Sequence, residues 1–226
     1  MSAKRISKKI GRPVKEPGAV STKERIRDAA INLFAEKGYE GVSIRDIARA
    51  VDIVESSVYK HYDGKDSIMD EIFEYFKSKI STPVPVAMPD RELLEKYGAE
   101  GFINMTCMAL LERIEDPGIR KVWRLVSLDL YRNPKIREFF KATIMDFPLQ
   151  FWERIFRQMM DLGHIKEYDA RQLAVEFTNY FTCLYFDLFV IHYDETTDPA
   201  SAVKRRNDLS GHIRFILDAV RIDKAQ

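Results

Sequence analysis

Cysteine is almost missing from this chain: of 226 residues only Cys107 and Cys183 are thiols. They stand 76 positions apart with no Cys-x-x-Cys spacing, which excludes a disulfide framework and a cysteine zinc site. Both sit in apolar helical contexts and are expected to be buried, reduced thiols. Long apolar runs are missing too. None reaches the roughly 17 residues a spanning helix needs, and the densest stretch, Tyr180 to Tyr193, carries Asp187. The basic N-terminus has no apolar segment behind it, so it does not read as a secretory signal. No membrane partner is expected, and the expected compartment is the cytoplasm.

Catalytic signatures are equally scarce. The four histidines, His61, His164, His192 and His212, have no H-x-x-x-H spacing and no carboxylate at metal-ligand distance in sequence. G-x-S-x-G, Walker and G-x-G-x-x-G motifs are lacking. No enzyme, metal or cofactor is therefore expected, and His164, His192 and His212 read as surface residues.

What is present is a globular composition, 46% hydrophobic and 31% charged, with a net charge of +1 that hides an asymmetry. Residues 1–20 carry Lys4, Arg5, Lys8, Lys9, Arg12 and Lys15 against only Glu16. Residues 21–65 balance, so the rest of the chain is mildly acidic. A basic tip on an acidic body is expected where one end alone meets a polyanion.

Along the chain, 1–20 lacks periodicity and reads as a flexible basic arm. Ser21 and Glu24 have capping-box spacing, and Ile26, Ala30, Leu33 and Phe34 form a helical stripe closed by Gly38. Ser43 with Asp46 opens a second helix, only two turns long, that buries Ile44, Ile47, Ala48 and Val51. After a tight turn at Asp52-Ile53, a third helix is expected over 56–62, burying Val58 and Tyr62. A fourth, 65–80, carries Ile68, Ile72, Tyr75, Phe76 and Ile80 on one side. It is expected to be the sole long element touching both halves of the protein. Three prolines between Ser81 and Pro89 mark the domain boundary.

Beyond that boundary everything reads as helix. The expected spans are 92–114, then 117–131 opened by Asp116-Pro117. Next come 134–162 opened by Asn133-Pro134 with a kink at Pro148, and 169–193 after Gly163. A last helix, opened by Asp198-Pro199, carries Leu209, Ile213, Ile216, Leu217 and Val220. The fold class is all-α: an arm (1–20), a three-helix head with its connecting helix (21–80) and a larger helical body (90–226).

Two short helices joined by a tight turn, the second rich in exposed polar groups, form a helix-turn-helix, whose second helix enters the major groove of duplex DNA. Here that helix would expose Glu55, Ser56, Ser57, Tyr59, Lys60 and His61. The run from Phe34 to Ala48, Phe-Ala-Glu-Lys-Gly-Tyr-Glu-Gly-Val-Ser-Ile-Arg-Asp-Ile-Ala, resembles the first half of the DNA-binding motif of the tetracycline-repressor (TetR) family. Ser57 to Asp66, Ser-Val-Tyr-Lys-His-Tyr-Asp-Gly-Lys-Asp, is similar to its second half. The resemblance spans about residues 22–80, and a weaker likeness continues through Gly163-His164-Ile165 and the helix after Asp169.

The resemblance implies a transcriptional regulator binding an operator in double-stranded DNA. Ser43 would bind phosphate with the amides around it, and Arg45 would reach phosphate or a base edge. Tyr59 and His61 would bond phosphates, Ser57 and Lys60 would face bases or backbone beside Ser56, and Lys65 would meet a phosphate. Asp52 and Val54-Glu55 depart from the family pattern. Glu55 would repel phosphates, yet would accept from cytosine N4. In the arm, Lys8-Lys9-Ile10-Gly11-Arg12-Pro13 is similar to an AT-hook, with Arg12 entering a narrow minor groove; an ordinary basic tail is the alternative.

For the body, the resemblance implies a cavity for a small hydrophobic or aromatic effector, with Phe102, Met105, Trp123, Trp152 and Tyr180 as candidate walls. It also implies a homodimer through residues 169–222. Repression released by the effector is the expected mode. The alternative is a DNA-binding architectural protein of the same fold without a small-molecule ligand.

Overall fold

The computed structural model describes residues 20–80, 90–193 and 198–222. The basic arm, with Arg12, and the proline-rich segment 81–89 lie outside the described residues. Within them all regular structure is helical: α1 (Thr22–Lys37), α2 (Ile44–Val51), α3 (Glu55–Val58), α4 (Lys65–Ile80), α5 (Asp90–Ile114), α6 (Pro117–Asp129), α7 (Pro134–Phe140), α8 (Phe147–Asp161), α9 (Ala170–Phe186) and α10 (Pro199–Ala219). π-helical turns follow α7 (Lys141–Asp146) and α9 (Asp187–Ile191).

Helix starts are set by side-chain caps. The Ser21 hydroxyl accepts from the Glu24 amide at 3.1 Å while the Glu24 carboxylate accepts from the Ser21 amide at 2.7 Å. Ser43 and Asp46 repeat the arrangement at α2. Asp116, Asn133, Asp169 and Asp198 cap α6, α7, α9 and α10, with proline following the cap in three of the four. Each cap satisfies first-turn N–H groups that no helix carbonyl can reach. Gly38, at φ 73° and ψ 165°, ends α1 in a region essentially reserved for glycine. Asp52, left-handed at φ 56°, makes the turn between α2 and α3.

Several sequence expectations need correction. The third helix is shorter than 56–62: it ends at Val58, and residues 59–61 continue as a turn in which the His61 and Tyr62 amides both donate to the Val58 carbonyl. Tyr62 is thereby turned inward, its hydroxyl donating to the Lys23 carbonyl of α1 at 3.1 Å. Second, α5 is not continuous, because Gly98 at φ 68° and ψ 176° breaks it. Third, the bend expected at Pro148 is prepared one turn earlier by the π-helical turn. Pro148 has no N–H to continue an α-ladder, and a π turn accommodates the lost bond. Fourth, Cys183 is exposed, and only Cys107 is buried.

The head core gathers Ile26, Ala30 and Phe34 of α1 with Ile47, Val51, Val58, Tyr62, Ile68 and Ile72, all buried. α4 also buries Met69 and Phe73, which widens its apolar face beyond one stripe because it packs on α1, α5 and α6 together. In the body, one aromatic cluster lies against α4. There Phe76 meets Trp123 edge-on at 4.5 Å, Phe73 stacks on Phe139 at 4.0 Å, and Trp123 touches Tyr185 and Phe189. A second runs Phe102, Trp152, Phe177, His212, Tyr180.

α4 is not the sole long link between the halves. α1 packs along α6, where Lys121 donates to Asn32 at 2.7 Å and Arg124 to the Ala35 carbonyl at 3.0 Å. Asp129, 5% exposed, closes the seam by accepting the Tyr39 amide at 2.6 Å. Sequence periodicity assigned these faces to helix without revealing that they meet.

Candidate nucleic-acid interface

The α2–turn–α3 unit holds a polar surface over an apolar anchor. Val58 and Tyr62 are buried, whereas Ser56, Tyr59, Lys60 and His61 are exposed and Ser57 is half-buried. The exposed set therefore lies together on one rim, with Ser43 and Arg45 of α2 also exposed. Tyr59 and Lys60 present an exposed phenol and an exposed ammonium, groups that suit hydrogen bonds to phosphate oxygens and base edges.

Two residues have internal duties beyond the roles the resemblance implies. The Lys65 ammonium donates to the carbonyls of Tyr39 at 2.7 Å and Val42 at 2.9 Å, and lies 4.3 Å from the Tyr39 ring centre. It thus clasps the α1–α2 connection, leaving one N–H for a phosphate. Ser43 gives both its amide and its hydroxyl to Asp46. That bonding, with Arg49 nearby, lowers the Asp46 pKa and keeps it an anion at the start of α2.

Sequence reasoning missed the partner of Arg45. Its Nε donates to Glu55 Oε1 at 2.8 Å, joining the second residue of α2 to the first of α3. Opposite charges ten positions apart across a tight turn were the only available signal.

Elsewhere on the head, Tyr39 donates its hydroxyl to Asp66 at 2.8 Å, and burial together with that carboxylate pushes its pKa far up. Tyr62 is pushed up as well, chiefly by burial. Neither phenol ionises in the ordinary pH range, so both act as neutral donors.

The effector candidates divide between the two aromatic clusters. Trp123 belongs to the cluster against α4, while Phe102, Trp152 and Tyr180 belong to the other. Phe102, Trp123 and Trp152 are buried; Met105 and Tyr180 are half-buried. The Trp123 indole N–H and Thr106 hydroxyl are buried with no hydrogen-bond partner among the described residues. A separate groove of about 290 Å³ between α4, α5 and α6 is lined by Ser78, Lys79, Arg113, Asp116 and Ile119, none of them a candidate. His212 is no surface residue. It is stacked between Phe177 and Tyr180, and burial lowers its pKa although its ring nitrogen meets the Phe177 carbonyl at 3.2 Å.

Among the described residues no three metal-ligating side chains converge, and no helix is long and apolar enough to cross a membrane.

Comparison with known proteins matches residues 26–72 to the family described as bacterial regulatory proteins, tetR family. The biofilm operon icaADBC HTH-type negative transcriptional regulator IcaR of Staphylococcus epidermidis is 45% identical over 58 residues, 24% of this chain and 31% of that protein. IcaR of Staphylococcus aureus is 44% identical over 62 residues, 26% and 33% of the two chains. The chain thus matches about a third of the length of these curated relatives.

Similarity of fold runs much further. MexZ, described as a key repressor responsible for antibiotic resistance in Pseudomonas aeruginosa, superposes with TM-score 0.67 at 18% identity, covering 89% of this chain and 96% of MexZ. A TetR-family transcriptional regulator structure from Mesorhizobium loti gives 0.65 at 18%, covering 88% and 96%. The helix-turn-helix region is thus similar in sequence to the tetR family of bacterial regulatory proteins, and the whole helical chain is similar in fold to the solved regulators named above.

Proposed function

We propose that the protein is a DNA-binding transcriptional regulator, a repressor that binds a palindromic operator as a homodimer and leaves it when a small hydrophobic or aromatic effector occupies the body. The observation that carries this reading is the rim of solvent-facing Ser56, Tyr59, Lys60 and His61 with half-buried Ser57 among them, held from beneath by buried Val58 and Tyr62. The negative regulators matched over the head favour repression. Domain limits of 21–80 and 90–226 go with this reading.

Dimerisation through 169–222 is supported by large apolar side chains left uncovered on one chain. Phe186, Val190, Ile191, Val203 and Phe215 are exposed, Phe215 at 71%. A two-fold contact would bury them against their own copies. The effector site proposed between α5, α6, α8 and α9, with Phe102, Met105, Trp123, Trp152 and Tyr180 as its walls, is supported by the unpartnered Trp123 N–H and Thr106 hydroxyl. A buried donor without an acceptor costs about 1–3 kcal/mol, which a ligand carbonyl or water would recover.

The test is binding of the full chain to duplex DNA across a salt series. A light-scattering dimer that enriches a palindrome from random duplex is expected. Replacing Lys60 by alanine should reduce the log–log salt slope by about 0.9 if it meets a phosphate. Should it read a base instead, discrimination at one position should fall by about 1–3 kcal/mol. A stable monomer, or undiminished binding by the Tyr59→Ala, Lys60→Ala double variant, would overturn the proposal.

A further inference from the structure

We infer that Arg45 and Glu55 act as one unit that reads a single G·C base pair in each half of the operator; the inference rests on the DNA-binding reading above. Glu55 opens α3, and the first residues of a recognition helix are those that reach base edges. Arg45 belongs to α2, but its bond to Glu55 brings its guanidinium to that same edge. The side chains are 72% and 43% exposed, so solvent reaches both members of the pair.

Stability gives little reason for this contact. An exposed ion pair contributes next to nothing to folding after side-chain ordering and screening. Its consequence for DNA is larger. A lone carboxylate at the mouth of a helix facing phosphates is repelled by them, whereas the doublet is neutral. The bond also uses only Nε, so both terminal nitrogens of Arg45 remain as a parallel fork, and Glu55 Oε2 remains as an acceptor.

Two donors beside one acceptor complement the major-groove edge of G·C, where guanine N7 and O6 accept and cytosine N4 donates. A·T fails at both ends. Adenine N6–H would face the donor fork, and thymine O4 would face the carboxylate. C·G places the same groups in reverse order. The pair therefore distinguishes identity and orientation, and Glu55, an apparent liability against DNA, becomes the residue that keeps Arg45 off the phosphates.

Selection from a randomised duplex library with the full chain, alongside Arg45→Ala and Glu55→Ala, tests this. Arg45 is exposed and Glu55 half-buried, and melting curves matching wild type will show that the variants fold. Wild type should fix G·C at one position per half-site, and Arg45→Ala should relax that position alone, by about 5–150-fold. Glu55→Ala should weaken the same preference while steepening the log–log salt slope by about 0.9, as the released guanidinium moves to a phosphate. A site unchanged in Arg45→Ala would overturn the inference alone, as would a uniform loss of affinity with a shallower salt slope. A folded wild-type protein that enriches no sequence would overturn the regulator reading and the inference with it.

Discussion

Asp129→Ala should loosen the seam between head and body more than any other single truncation on α6. The carboxylate is 5% exposed and accepts the Tyr39 amide at 2.6 Å. Tyr39 is itself buried, and the bond spans 90 positions of sequence. Alanine would leave that amide unpartnered inside the protein, at a cost of about 1–3 kcal/mol. For a chain of this length each kcal/mol lowers the melting temperature by about 2–4 °C, so a 2 kcal/mol loss should read as roughly 4–8 °C. Asp129→Asn keeps a carbonyl acceptor of the same shape and should fall between wild type and alanine. The assay is thermal unfolding at one fixed protein concentration, since dimer dissociation would otherwise move the midpoint. Hydrogen exchange at the Tyr39 amide gives a local readout, faster in the alanine variant. Alanine melting within a degree of wild type, with the Tyr39 amide still protected, would refute the seam.

Two further outcomes follow from named contacts. Lys65→Met removes both bonds to the Tyr39 and Val42 carbonyls and the contact with the Tyr39 ring, while keeping the aliphatic stem. It should destabilise the head by about 1–3 kcal/mol, seen as protease cleavage within 38–43; unchanged cleavage would count against the clasp. His212 has its pKa lowered by burial, so the folded state binds its proton less readily than the unfolded chain. Stability should therefore be flat above the ordinary histidine value of about 6.5 and fall as pH drops below it. His212→Gln should flatten that acid limb in a pH series of melts, and an identical limb in the variant would exclude His212 as its source.

What was legible in the sequence was local. Ser21-x-x-Glu24, Ser43-x-x-Asp46, Asp116-Pro117, Asn133-Pro134 and Asp198-Pro199 announced helix starts because a cap bonds amides two or three residues away, within the reach of pattern. Gly38 was legible as a stop for the same reason. Gly98 was not, since a glycine inside a periodic stretch reads as tolerated until its φ is known. The π-helical turns at 141–146 and 187–191 leave the apolar pattern nearly intact and have no residue signature of their own. In the interface, helical spacing marked Val58 and Tyr62 as inward and the residues between them as outward. The Arg45–Glu55 bond, the Lys65 clasp and the Asp129 seam are fixed by how helices cross, and periodicity says which face is buried without saying against what.

That crossing geometry bears on how an effector would act. A ligand shifts DNA affinity only by its differential affinity for two arrangements of the recognition helices, which must sit about 34–36 Å apart to enter successive major grooves. Were α4 the sole connection, its tilt alone would set that distance. Instead the head is held at two places. α4 packs on Trp123 and Phe139 and is tied at Asp70 to Lys135, while α1 is tied to α6 through Asn32 and Ala35, and the turn after α1 through Tyr39. Trp123 and Asp129 both lie on α6, so one helix carries a proposed effector wall and the far end of the seam. A shift of α6 would therefore move α1 and α4 together, carrying the head as a block. The recognition surface would be displaced without being remodelled. A coupling of about 1–3 kcal/mol, enough to weaken operator binding 5–150-fold, needs only that such a block have two resting positions on the body.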